Sequence, residues 1–279
     1  MSQLEFRLEL PKKAGEYVLF SLPQTNQYQK ITSLEIEPRK YKRFKENKWG
    51  NDIVSFTLND VKHYACINFN HKAISINQTI DSTFKINEYS RITNPDRFIN
   101  GKDVQIQRLA KKIVGEEKSL AKTIKNIYRF VLTYLTYGKP NKALYTYKQA
   151  LRERTTDCGG FSTLLLSLLQ SVNIPSRLVV GYLLRPSLSK LFLTKLRIDS
   201  LTFRSLSMHV WVEILLPDDS WFPLDPSIEW QRVNNFTSSQ GDFGIIPDDR
   251  LVLSYGEDFD LNIGTKNYKI DLFQSPVYI

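Results

Sequence analysis

Cysteine is scarce in this chain: 279 residues hold only Cys66 and Cys158. Two thiols close at most one bridge, and no spacing joins these two, so a disulfide framework and a cysteine-rich zinc cluster are both excluded. Histidine is almost as rare, at three. Long apolar runs are missing as well. No stretch reaches the roughly 18 residues that span a bilayer, and "MSQLEFRLELPKKAGEY" lacks the h-region of about 7 residues that marks export. The expectation is a soluble, unexported, cytoplasmic chain with reduced thiols and no membrane partner.

What is present is ordinary globular composition, 42% hydrophobic and 24% charged, in a length that suits one large domain or two ordinary ones. The net charge of +9 is uneven. Residues 101–154 carry thirteen basic against four acidic side chains. An acidic partner such as nucleic acid is one reading of that excess. The preferred reading is the solvated face of two helices, because the lysines recur at helical spacing without interleaved aromatics for base stacking.

Along the chain, "LEFRLEL", "KITSLEIEP", "IVSFTLN" and "HYACINF" alternate with period 2 and are separated by turn tokens, as in a small antiparallel sheet domain. Gly50 and Asn51 fall where a tight hairpin needs positive φ. Cys66 lies inside one such strand and reads as inert core. "SRITNPDRFIN" reads as a linker. Beyond it, the apolar residues of 104–135 make one amphipathic pattern broken at Gly115, hence two helices, and "ALYTYKQALRER" adds a short third. Strands are expected to dominate from "NIPSRLVVGYLL" onward. The expected fold class is α+β, with a β-sandwich-like domain over 1–94 and a second domain over 95–279.

Three separated residues stand out chemically. Cys158, in "DCGGFSTLLLSLL", heads a buried helix, where unpaired N–H groups and the helix dipole favour a thiolate. Taken alone, the segment favours a structural cysteine, because an apolar helix explains its leucines. Asp157 reads as the cap of that helix. His209 lies in the strand "MHVWVEILL", which turns at "LPDDS" into "WFPLDPS". If Leu215 faces Asp219, His209 falls opposite Asp225, and an imidazole and a carboxylate share one face. That register is the weak point, since a two-residue turn moves Asp225 to the other side of the pleat. Together Cys158, His209 and Asp225 supply nucleophile, base and orienting group.

"DCGGFSTLLLSLLQSVNIPSRLVVGY" followed by "MHVWVEI" and "WFPLDPS" resembles the core of the transglutaminase-like superfamily across roughly residues 120–230. The stretch "LPQTNQYQKITSLEIEPRKYKRFKENKWGNDIVSF" is similar to the N-terminal β-domain that often precedes that core in bacteria, with Gln29, Pro38, Gly50 and Asn51 in place. The aspartate that commonly opens its hairpin is replaced near Lys48 and Trp49. The resemblance implies a papain-like core with Cys158 at a helix N-terminus packed on an antiparallel sheet. It makes Cys158 the nucleophile, His209 the general base and acid, and Asp225 its orienting partner. Thr156 stands where relatives commonly carry glycine. An upstream aromatic supplies a second oxyanion donor in relatives, and Tyr145 and Tyr147 are the candidates; Trp211 and Glu213 are assigned to packing and support.

Some relatives need calcium, which draws notice to Asp248, Asp249, Glu257, Asp258 and Asp260. Their spacing forms no binding loop, so they are expected to be solvated loop acids, with no metal and no cofactor. The expected activity is thiol acyl chemistry on a peptide or protein amide through a thioester, ending in hydrolysis. Transfer to an amine and a scaffold that has lost turnover are the alternatives.

Overall fold

The structure, a computed structural model, describes residues 2–9, 17–57, 64–84, 95–184 and 207–279. Of the linker expected at 90–100, residues 90–94 lie outside the described residues, and in the remainder Phe98 and Ile99 are buried. The chain forms two compact units, each discontinuous in sequence. Met1–Ser75, Val180–His209 and Asp248–Ile279 make the first, and Ile76–Val179 with Val210–Pro247 the second.

In chain order the early strands are β1 (Ser2–Glu9), β2 (Tyr17–Ser21), β3 (Gln29–Glu37), β4 (Lys42–Lys45), β5 (Asp52–Thr57), β6 (Tyr64–Ala73) and β7 (Ile76–Asn77). The middle holds α1 (Val104–Val114), α2 (Leu120–Tyr134), β8 (Thr136–Tyr137), α3 (Tyr147–Glu153), β9 (Thr155–Thr156), α4 (Cys158–Ser171) and β10 (Ser176–Leu183). Next come β11 (Ser207–Leu215), β12 (Trp221–Leu224) and α5 (Pro226–Val233). The chain then runs through β13 (Ile245–Ile246), β14 (Arg250–Tyr255), β15 (Phe259–Ile263), β16 (Lys266–Ile270) and β17 (Val277–Tyr278).

The first unit is built from antiparallel strands in the orders β1-β6-β3 and β17-β2-β5-β4, with β15-β16 as a separate hairpin. Phe6, Phe20, Phe56 and Phe69 fill one core together with Tyr182, Leu251 and Leu253. Two side-chain amides fasten β14. Gln29 accepts from Val252 N–H at 2.9 Å and donates to its carbonyl at 2.8 Å, and Asn51 does the same with Tyr255 at 2.8 Å each way. Each amide thus presents the donor and acceptor that a neighbouring strand would present. Gly50 has φ 75, as expected; Asn51 does not share that conformation and is buried for its bonds instead. Glu46 closes this hairpin, its carboxylate accepting from the backbone N–H groups of Lys48, Trp49 and Asn51 at 2.6–2.9 Å.

In the second unit the amphipathic pattern resolves as read, with the break at Gly115. That residue ends α1 at φ 60, and Ser119 caps α2. Tyr147–Glu153 is the short third helix, opened by a capping box between Thr146 and Gln149. α4 touches each of the other four helices, and residues 159–169 of it are all buried, which accounts for its leucines. One helix was not foreseen. α5 interrupts the region expected to be strand, although Asp225 as N-cap, Pro226 at the first position and Glu229 in the first turn spell a helix start.

Candidate active site

Cys158 is the first helical residue of α4. Asp157 caps the helix, its Oδ1 accepting from Gly159 N–H at 2.9 Å, and its Oδ2 accepts from Asn141 N–H at 2.9 Å. Thr156, the departure from the usual glycine, is accommodated from the other side. A Cβ on Gly160 would lie 2.0 Å from Thr156 Oγ1, so the glycine makes room for the threonine.

Four groups of its own unit act on the sulfur. Val210 and Gly159 donate backbone N–H groups to it, while Asp157 and Asp225 act on it as negative charges. Burial is the largest influence, and with the two carboxylates it raises the thiol from its ordinary 9.0 to about 12. Burial of the sulfur and these carboxylates act against the dipole-stabilised thiolate expected at this helix end, although Cys158 as a residue is part-exposed. At one helix end the dipole contributes a fraction of a charge, which desolvation and two nearby carboxylates outweigh. These groups raise the cost of ionising Cys158, which a nearby proton acceptor would offset.

His209 is buried on β11, next to the residue whose N–H meets the sulfur. Its own carbonyl accepts from Gln274 Nε2 at 3.1 Å, and the same amide donates to Gly181 O at 3.0 Å. The alternation expected of β11 is not seen as alternation in burial, because 209–215 are buried on both faces. β11 is an inner strand, flanked by β12 and β10.

The hairpin register also differs from expectation. Leu215 pairs with Trp221, not Asp219, and Leu216 N–H closes the loop on Ser220 O at 2.8 Å. Asp219 at φ 63 takes the left-handed position, and Asp218 Oδ1 accepts from Ser220 N–H, so the three-residue loop is Pro217–Asp219. Continued one step, this register sets Asp225 level with Trp211 and not with His209. The shift is one residue on each strand, so Asp225 keeps the parity that the chemistry needs.

Asp225 is fully buried, and its Oδ1 accepts from Ile228 N–H and Ser227 Oγ at 3.2 Å each, capping α5. Behind it lie two more acids, both held above the usual carboxylate range mainly by burial. They are Glu229, which accepts from Tyr128 Oη at 2.6 Å, and Asp242, beside Arg232.

Of the candidate oxyanion donors, Tyr145 donates to Lys139 O at 3.0 Å and Tyr147 to Asp103 Oδ2 at 2.8 Å. Both hydroxyls hold the α3 region together. Sequence reasoning missed Tyr137, whose phenol is raised first by burial and then by the charge of Cys158. It ends β8, which pairs with β9 just before the cysteine; "LTYLTYGKP" carries no local signal of that pairing. Glu213 forms a buried ion pair with Arg177 at 2.6 Å, whose guanidinium lies 3.7 Å over the Trp221 ring, and Trp211 is wholly buried.

The tail acids are not uniformly solvated. Asp249 is buried against Arg250, and Glu257 is buried 3.7 Å from Lys48, because β14 and its following turn are covered. Among the described residues no helix is long and apolar enough to cross a membrane.

Comparison with solved structures finds a protein from Cytophaga hutchinsonii, provisionally assigned as a cysteine protease, at 15% identity and TM-score 0.54, covering 90% of this chain and 79% of that one. The periplasmic domain of TgpA from Pseudomonas aeruginosa aligns at 13% identity and TM-score 0.40, over 81% and 75% of the two chains. No curated protein matches. The α+β class with antiparallel strands ahead of a helical core is as expected. Residues 107–226 of this chain match the model of the transglutaminase-like superfamily.

Proposed function

We propose that the protein is a cysteine amidase or peptidase, with Cys158 as nucleophile, His209 as general base and acid, and Asp225 as the group orienting His209. One observation carries this reading: the Cys158 sulfur at the head of α4 meets both the N–H of Val210, which follows His209 in β11, and the charge of Asp225. Asp225 Oδ1 serves the α5 cap; its other oxygen is assigned to the imidazole.

The reaction runs in two halves. His209 takes the Cys158 proton as sulfur attacks the amide carbon, and the carbonyl π electrons move to oxygen. The Cys158 N–H, which has no intrahelical partner at the first position, and the Tyr137 hydroxyl stabilise that oxyanion in place of Tyr145 or Tyr147. The C–N bond then breaks with His209 protonating the amine, leaving a thioester. Water, deprotonated by His209, attacks the thioester, the C–S bond breaks, and the proton returns to sulfur. A thiol raised by burial and the neighbouring carboxylates suits this sequence, because ionisation is coupled to proton transfer.

The test offers a glutamine-containing peptide with and without a labelled amine. Ammonia release without label incorporation is expected, and Cys158→Ala should abolish it. Label incorporation without net hydrolysis would replace hydrolysis by transfer. In parallel, iodoacetamide should modify Cys158 before Cys66, and His209→Ala should slow that modification at neutral pH. Equal labelling of both thiols in the folded protein removes the nucleophile reading.

A further inference from the structure

α5 ends in a way that exposes aromatic surface. Asn235 takes φ 62, and Phe236 N–H reaches back to Gln231 O at 2.8 Å, the six-residue closure of a Schellman end. That motif commonly packs the residue after the turn on the last helical turn, and Phe236 does lie on Trp230, with ring centroids 5.7 Å apart and planes at 21°. Helix closure accounts for this contact. It does not account for a phenylalanine left 71% exposed, beside Val233 at 66%. Capping needs no aromatic there, and water-facing rings of this size favour association.

The stack also continues inward. Trp230 stands 6.5 Å from the Tyr137 ring at 30°, and Tyr137 packs on buried Phe161 in the first turn of α4 and pairs in register with Thr156, two residues before Cys158. The rings Tyr137, Trp230 and Phe236 thus form a ladder that starts beside the head of α4 and ends in solvent, all on one compact unit. Each step matches about two residues of an extended peptide, which rises ~3.3 Å per residue and returns side chains to one face with period 2.

We infer that this ladder is a specificity surface for the acyl donor. It takes an aromatic or large aliphatic side chain two residues along from the reacting amide, laid on Trp230 and edged by Phe236. The occupant is a peptide segment because the ladder is continuous with the nucleophile, so the inference rests on the reading of Cys158 as nucleophile. A flat ring face pairs with a second ring in offset or edge-on fashion, and the polar tip of Tyr137 stays at the reacting carbonyl.

The test compares alkylation of Cys158 by iodoacetamide and by N-(2-phenylethyl)iodoacetamide, with peptide mapping against Cys66, and reads the ratio of the two rates within each variant. The wild type should favour the aromatic reagent by about tenfold. Phe236→Ala, a change at an exposed site, should cut the ratio severalfold, Trp230→Ala should bring it close to that of a free thiol, and Trp230→Phe should restore most of it. If Cys158 reacts but the ratio is the same in all variants, the ladder is overturned alone. If Cys158 is no more reactive than Cys66 toward either reagent, the nucleophile reading falls and takes the ladder with it.

Discussion

Both units bury polar groups, to opposite electrostatic effect. In the first, Gln29, Asn51 and Glu46 are buried with neutral or backbone partners that match them in number and direction, so each replaces the water it lost. In the second, Asp157, Asp225, Glu229 and Asp242 crowd around one end of α4 and α5, and burial holds Asp157, Glu229 and Asp242 above the ordinary carboxylate range. The first arrangement is what stability alone would select. The second keeps unfavourable charge next to a thiol, and such clusters mark sites of chemistry more often than scaffolds.

The contrast breaks most visibly at Gln29. Gln29→Ala strands both the N–H and the carbonyl of Val252, at about 1–3 kcal/mol for each unpaired group. Denaturant unfolding should record a loss of roughly 3 kcal/mol; a change within 0.5 kcal/mol, about the scatter of surface substitutions, would mean that the amide clamp does not stabilise β14.

Asp157 sharpens the comparison from the other side. Asparagine caps helices as well as aspartate does, so Asp157→Asn keeps α4 while removing a charge that raises the thiol. The bond from Asn141 N–H is lost, at about 1 kcal/mol. Cys158 should then ionise at lower pH, and its alkylation at neutral pH should quicken severalfold. A pH profile of alkylation unmoved by the substitution would take Asp157 out of the account of the sulfur.

The smallest effect belongs to Glu229. Its folded pKa is raised, so the neutral form is favoured on folding; that stability is present below the unfolded value and is lost as pH rises through the folded one. Wild-type stability should therefore decline somewhat above about pH 4.5, the ordinary glutamate value. Glu229→Gln, whose carbonyl still accepts from Tyr128, should remove part of that decline. Parallel stability curves for the two proteins would show that Glu229 is already solvated when ionised.

Much of the helical unit was legible in the chain. Gly115, Ser119, Thr146 and Asp157 act within a turn of where they stand, so two amphipathic helices, a short third, and Cys158 at the start of α4 followed from local pattern. α5 is legible too, in Asp225-Pro226, within text that otherwise reads as strand. The hairpin register was not legible. Its loop length was right, but which residues flank the loop depends on Asp218 and Asp219 adopting one turn among several.

The sequence by itself determined the identity and order of Cys158, His209 and Asp225, the capped helix under the sulfur, and the α+β class, because caps, periodicity and helix starts are short-range. Only the tertiary structure decided the state of that sulfur, the approach of Tyr137, and the burial of Asp249 and Glu257. Desolvation and Coulomb interactions sum over groups far apart in the chain, so a charge that local dipoles favour is opposed once Asp157, Asp225 and the surrounding residues are packed around it.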